Sequence, residues 1–167
     1  MNLVLCGMMG AGKTTVGKAL AKQSKRKCLD TDAVITKKHG DIKNIFASCG
    51  EAHFRGLETA TVRDLTKKDK MVVSVGGGLV LRKENVDLLK ENGKIVYLRA
   101  KKETLVRRLQ SDKSRPLLQG EDLEKRVENL IQERAETYER VADYIIDVDG
   151  KTPETIAKEI LVLTESK

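Results

Sequence analysis

The chain has 167 residues, enough for one domain that buries roughly 70% of the surface its unfolded form exposes. Hydrophobic residues at 40% and charged residues at 34% describe a globular protein; no apolar run approaches a membrane span, and the first strand starts almost at Met1, leaving no room for a signal or transit peptide. The net charge of +7 comes from Lys and Arg spread along the chain, and with aromatics at 3% and no Trp there is no stacking platform for nucleic acid, so solvated helix faces and a phosphorylated ligand account better for the cations.

Leu3 to Cys6 form a short apolar run suited to a buried parallel strand, and Gly7 to Thr14 then read G-x-x-x-x-G-K-T. That is the P-loop pattern, placed between strand and helix where its chemistry requires it. Gly7, Gly10 and Gly12 let the backbone curl so that N–H groups, including those of Ala11 and Gly12, aim at a phosphate chain. The helix that starts near Lys13 adds the positive end of its dipole. Lys13 is placed to reach β and γ phosphates and the Thr14 hydroxyl to sit on Mg²⁺, with Thr15 beside it. Val16, Leu20 and Ala21 mark the inner face of this helix.

A short strand, Lys27 to Leu29, runs into Asp30, Thr31 and Asp32 before the next helical pattern. Two acids two residues apart share a side of an extended chain, here at a strand's carboxyl end, where open α/β sheets bind ligands. One of them can be a helix N-cap, but not both. Asp41 opens a small helix with Ile42, Ile45 and Phe46 on one face, and Gly50 closes it. Glu51 to about Lys67 is a longer helix turning Phe54, Leu57, Thr61 and Leu65 inward; Arg55 and Glu58, three apart, read by default as a surface ion pair of about 0.2–0.5 kcal/mol.

Met71 to Val75 is nearly all apolar, as a central parallel strand should be, and ends in Gly76, Gly77 and Gly78. A turn needs one glycine; three suggest a ligand lying directly against backbone. Many P-loop proteins place a metal-binding Asp at such a strand end, and here it is missing, so Ser74 or Asp30 must help hold the magnesium shell. A helix (Glu84 to Glu91), a strand (Lys94 to Leu98) and a helix (Glu103 to Leu109) continue the alternation, which the polar segment Ser111 to Glu121, carrying Arg115 before Pro116, interrupts as an expected mobile flap.

The helix from about Leu123 to Ala142 has an apolar stripe of Leu123, Val127, Ile131, Tyr138 and Val141, and Arg134 falls on it. An inward cation is costly unless it snorkels or meets an anion, which an anionic ligand would supply. A last strand, Tyr144 to Val148, leads to Thr152 and Pro153, a good N-cap and first position for the final helix. The three cysteines, Cys6, Cys28 and Cys49, lie in apolar segments without metal-ligand spacing and are expected to be buried, reduced thiols of a cytoplasmic protein. Five strands, each followed by helix, predict a parallel three-layer α/β/α sandwich.

The combination GMMGAGKTT, DTD at 30 to 32, IFASCGEAHFR with Glu58, SVGGG, RPLL at 115 to 118 and ERAETY with Arg134 resembles the shikimate kinase family over essentially the whole chain. The resemblance implies a single domain over 1–167 with a P-loop nucleoside monophosphate kinase-like fold, sheet order 2-3-1-4-5, a lid at about 111–121 and substrate-binding helices at about 31–66. It also implies Mg²⁺-dependent transfer of the γ-phosphoryl group of ATP to the 3-hydroxyl of shikimate, by a cytoplasmic monomer without membrane or nucleic-acid partners. Asp32, Arg55, Gly76, Gly77, Gly78 and Arg134 match the family's substrate contacts, Thr14 and Asp30 its metal site (Asp30 through water), Lys13, Asp32 and Arg115 its catalytic groups, and Arg108 and Pro153 its adenine contacts. Gluconate kinase-like and nucleotide kinase-like enzymes are the rival readings. A GTP-binding switch is disfavoured, because TKKD at Thr66 to Asp69 and the D-x-x-G at Asp147 to Gly150 stand in the reverse of the GTPase order.

Overall fold

The computed structural model describes residues 1–111 and 122–166. Five parallel strands, β1 (Asn2–Cys6), β2 (Lys27–Asp30), β3 (Met71–Ser74), β4 (Gly93–Arg99) and β5 (Tyr144–Asp147), form one sheet in the order β2-β3-β1-β4-β5. The expected architecture is the observed one. β1 and β3 pair in register, Leu3 opposite Val72 and Val4 opposite Val73, and every residue of both strands is buried. That is why their sequences are unbroken apolar runs rather than alternations.

Among the described residues seven α-helices flank the sheet, all but the last lying between strands: α1 (Lys13–Ser24), α2 (Thr31–His39), α3 (Ile42–Thr66), α4 (Lys83–Glu91), α5 (Lys102–Ser111), α6 (Leu123–Val141) and α7 (Pro153–Glu165). Parallel crossovers are right-handed, so the direction of each strand step fixes the face its helix covers. The step from β1 out to β2 puts α1 on one face, where it packs against α7; the steps toward β5 put α3, α4 and α6 on the other. The P-loop and the glycine triplet therefore leave neighbouring strands toward opposite faces, and the crevice between them is where open α/β sheets bind ligands.

Local signals set the helix ends. Asp30 caps α2, its Oδ1 accepting from the Asp32 and Ala33 N–H groups at 2.9 and 3.2 Å. Asp41 caps α3, and Gly50, at φ 82°, kinks it where the sequence predicts a break between two helices. Thr152 caps α7 with Pro153 at its first position. The main core surrounds the sheet, and a satellite cluster of Ile35, Ile45 and Phe54 fixes α2 against α3.

Phe46, on one face with Ile42 and Ile45, is 37% exposed and leans on Phe54 from outside, ring centroids 4.8 Å apart. One expectation fails on burial. Cys28 and Cys49 are exposed; only Cys6 is buried. Cys28 sits on β2, an edge strand whose Lys27 and Cys28 are exposed, and Cys49 precedes the Gly50 kink. Arg115 and the expected lid, apart from Ser111 at the end of α5, lie outside the described residues.

Candidate active site

The P-loop joins β1 to α1 with Gly12 at the helix N-cap, φ 92°, a left-handed conformation that glycine adopts without a steric penalty. No side chain caps α1, so its first N–H groups face the cleft. Lys13 Nζ donates to the carbonyls of Gly7 and Met8 at 2.7 and 2.9 Å, which folds the ammonium over the loop it belongs to. Thr15 and Gly10 line the cleft beside it, while buried Ala11, whose N–H donates to Met8 O, lines the smaller cavity next to it.

The two acids after β2 divide the work. While Oδ1 of Asp30 caps α2, its Oδ2 accepts the Thr14 hydroxyl at 2.8 Å. That hydroxyl and carboxylate make a hard-oxygen pair at the mouth of the P-loop, the donor chemistry magnesium takes. Ser74, the other candidate for the magnesium shell, is nearly fully buried, and its hydroxyl donates to Lys13 O at 3.0 Å. Among the described residues no three His, Cys, Asp or Glu side chains converge as a metal cage.

Asp32, one residue into α2, turns instead to the glycine triplet. A Cβ placed on Gly76 would lie 2.9 Å from Asp32 Oδ1 and 3.2 Å from Glu58 Oε1. On Gly77 it would lie 3.1 Å from Arg134 Nη1, and on Gly78 2.6 Å from both terminal nitrogens of Arg55. Two guanidiniums and two carboxylates, delivered by α2, α3 and α6, thus press on three residues without side chains. The sequence predicts that Asp32, Arg55 and Arg134 converge, and they do.

The Arg55–Glu58 pair is no surface contact. Glu58 is 1% exposed and accepts from Arg55 Nη1 at 2.8 Å, while Arg55 also meets Glu51 at 3.3 Å and lies 5.4 Å from the Phe54 ring centroid. Burial pushes the Glu58 carboxyl above the ordinary glutamate range and the nearby Asp32 adds to this, against the pull of Arg55 and Arg134. Burial also opposes charge on Arg55, but its hydrogen bonds to Glu58 and Glu51 prevail and its pKa is raised. Sequence spacing finds this pair but cannot report its burial, which comes from α3 packing beneath the triplet.

These groups line one cavity of about 560 Å³ that runs from Lys13 and Thr14 to Arg55 and Arg134. A second cavity of about 240 Å³ adjoins it at Gly12 and Thr15, between Arg108 and Pro153. Arg108 is held by a 3.1 Å bond from Nη1 to Gly10 O. Lys151, which the sequence did not single out, lines this second cavity and pairs with Glu159 at 2.8 Å. Asp69 of the GTPase-like TKKD pairs with the N-terminal amine at the opposite end of the sheet.

Comparison with known proteins agrees with the geometry. Residues 9–165 match the sequence profile of the family described as shikimate kinase. The chain is 44% identical over 161 residues to a shikimate kinase of Thermodesulfovibrio yellowstonii, covering 96% of this chain and 92% of that one. It superposes with a TM-score of 0.91 on shikimate kinase from Acinetobacter baumannii in complex with shikimate, at 40% identity over 99% of this chain and 93% of the other. The shikimate kinase from Aquifex aeolicus superposes at 0.85, with 36% identity over 99% and 97% of the two chains.

Proposed function

Because this chain belongs to the shikimate kinase family and so transfers a phosphoryl group from ATP to a hydroxyl of shikimate, we propose that the larger cavity is where the two substrates meet. The observation that carries this is the glycine triplet, which brings Asp32, Arg55 and Arg134 onto one patch of bare backbone. Arg55 and Arg134 grip the shikimate carboxylate with charge-assisted hydrogen bonds, and Glu58 keeps Arg55 aimed. The ring then lies against Gly76, Gly77 and Gly78, with hydroxyls toward Asp32.

On the other side the P-loop N–H groups hold the phosphates, and Lys13 leaves the Gly7 and Met8 carbonyls for the β and γ oxygens. Thr14 and, through water, Asp30 would hold Mg²⁺, which would supply positive charge to neutralise the phosphates. The 3-hydroxyl oxygen attacks the γ phosphorus in line, the bond from that phosphorus to the β-phosphate oxygen breaks, and ADP and shikimate 3-phosphate result. Asp32 orients the hydroxyl and accepts its proton; a loose transition state asks more of it in positioning than in basicity. Arg115 reaches the transferring group only when the lid at 111–121 closes and excludes water. Arg108 and Pro153 sandwich adenine in the smaller cavity, whose size suits a purine.

The working unit is a cytoplasmic monomer that requires neither nucleic acid nor membrane. Both cavities are built from this one chain, and among the described residues no helix is long and apolar enough to cross a membrane. The test is ADP release with Mg-ATP and shikimate, gluconate, nucleoside monophosphates or water as acceptor. Turnover with shikimate alone supports the reading; equal turnover with gluconate or without acceptor overturns it.

A further inference from the structure

Tyr138 reads from sequence as one more apolar residue of the α6 stripe, and its ring does pack in the core, 5.1 Å from that of Tyr97. Its hydroxyl is what the core does not explain. Tyr138 is fully buried, and its OH donates to Gly77 O at 2.5 Å, across 61 residues of sequence. Arg134 stands one helical turn earlier on the same face, and its charge acts on the same hydroxyl. The two side chains close on a single residue: a Cβ on Gly77 would be 3.1 Å from Arg134 Nη1 and 3.6 Å from the Tyr138 oxygen.

From this we infer that the Tyr138 hydroxyl is a positioning residue for the acceptor site, fixing the Gly77 peptide and the Arg134 guanidinium relative to each other. It touches neither ATP nor shikimate. The rest of the turn is already pinned: Gly76 N–H donates to Thr31 Oγ1 at 3.1 Å, and Leu79 O accepts from Asn85 at 2.9 Å. Gly77 O is the remaining carbonyl between those anchors, and the Tyr138 hydroxyl holds it. Burial raises the phenol to about 12, so it stays a donor throughout the working pH range.

The inference rests on the reading of Gly77 and Arg134 as shikimate contacts, and the experiment separates the two. Steady-state constants for both substrates are measured for the full-length wild type and for Tyr138→Phe, Tyr97→Phe and Arg134→Lys, with thermal melts of each. Losing one neutral hydrogen bond that orients a binding group should raise the shikimate KM of Tyr138→Phe roughly three- to tenfold. The ATP KM should change less than about twofold. Tyr97→Phe, which strips a hydroxyl from the neighbouring ring without touching the turn, should leave the shikimate KM unchanged. If Tyr138→Phe does not fold, Tyr138→Met fills the space with an adaptable apolar chain lacking the donor and should show the same selective loss. An unchanged shikimate KM, or both KM values rising together, overturns the positioning role. If Arg134→Lys itself leaves shikimate KM unchanged, the site reading fails instead.

Discussion

Glu58→Gln probes the least obvious part of the site. The substitution keeps shape and a hydrogen-bond acceptor but removes the charge of a carboxylate that is 1% exposed and bonded to Arg55 Nη1 at 2.8 Å. Deleting one partner of a buried ion pair typically costs about 3–5 kcal/mol, because the other charge is stranded. Here the cost is smaller: the Arg55 side chain is 24% exposed and keeps Glu51 at 3.3 Å, and burial already works against the Glu58 charge. The remaining loss is the step from a charged to a neutral hydrogen bond, about 1–2 kcal/mol, and it falls on the aim of Arg55. At about 1.4 kcal/mol per factor of ten, shikimate KM should rise roughly tenfold, with kcat and ATP KM changing less than about threefold.

The same variant carries a pH signature. A carboxyl whose folded pKa is raised contributes stability below its unfolded pKa and loses it as pH rises through the folded value. Wild type should therefore lose stability relative to Glu58→Gln as pH climbs from the ordinary glutamate range toward neutrality, read as a narrowing Tm difference. A shikimate KM within twofold of wild type would refute the claim that Glu58 aims Arg55; a Tm difference independent of pH would refute the burial argument.

Arg115→Ala should lower kcat at least about a hundredfold while shikimate affinity stays within a few-fold, since a group that meets only the transferring phosphoryl acts in the transition state; equal loss in binding alone refutes a lid role. In native protein a thiol reagent at pH 8 should label Cys28 and Cys49 and spare Cys6, whose thiol burial pushes up to about 12. Cys28 should react more slowly than an unhindered thiol, because burial and then the Asp30 charge raise its pKa and cut its thiolate fraction. Mass mapping of the labelled peptides checks both, and labelling of Cys6 before unfolding would contradict the packing described.

What the sequence made legible was whatever chemistry violates its surroundings. Arg134 stands out because a cation on an apolar stripe needs an anion, and Gly76 to Gly78 because one glycine suffices for a turn; the structure brings both to the same cleft. Asp30 and Asp32 were recognised as a pair of which only one caps a helix, and the structure assigns the cap to Asp30, leaving Asp32 toward the triplet. Properties set by tertiary packing were not legible. Arg55 and Glu58 look like any three-apart helix pair until α3 is laid under β3's exit, and Tyr138 looks like core until its hydroxyl meets Gly77. Cys28 sits in an apolar segment, but only sheet order reveals that its strand is an edge. Ser74 reads as a magnesium-shell candidate on position alone, and only the packing shows that it is buried and bonded to Lys13 O.

The most direct measurement is a crystal structure of this chain with shikimate and Mg-ADP. The account predicts the carboxylate between Arg55 and Arg134, the ring against Gly76 to Gly78, and the 3-hydroxyl within hydrogen-bond reach of Asp32. Shikimate bound elsewhere, or with its carboxylate turned toward Lys13, would contradict it.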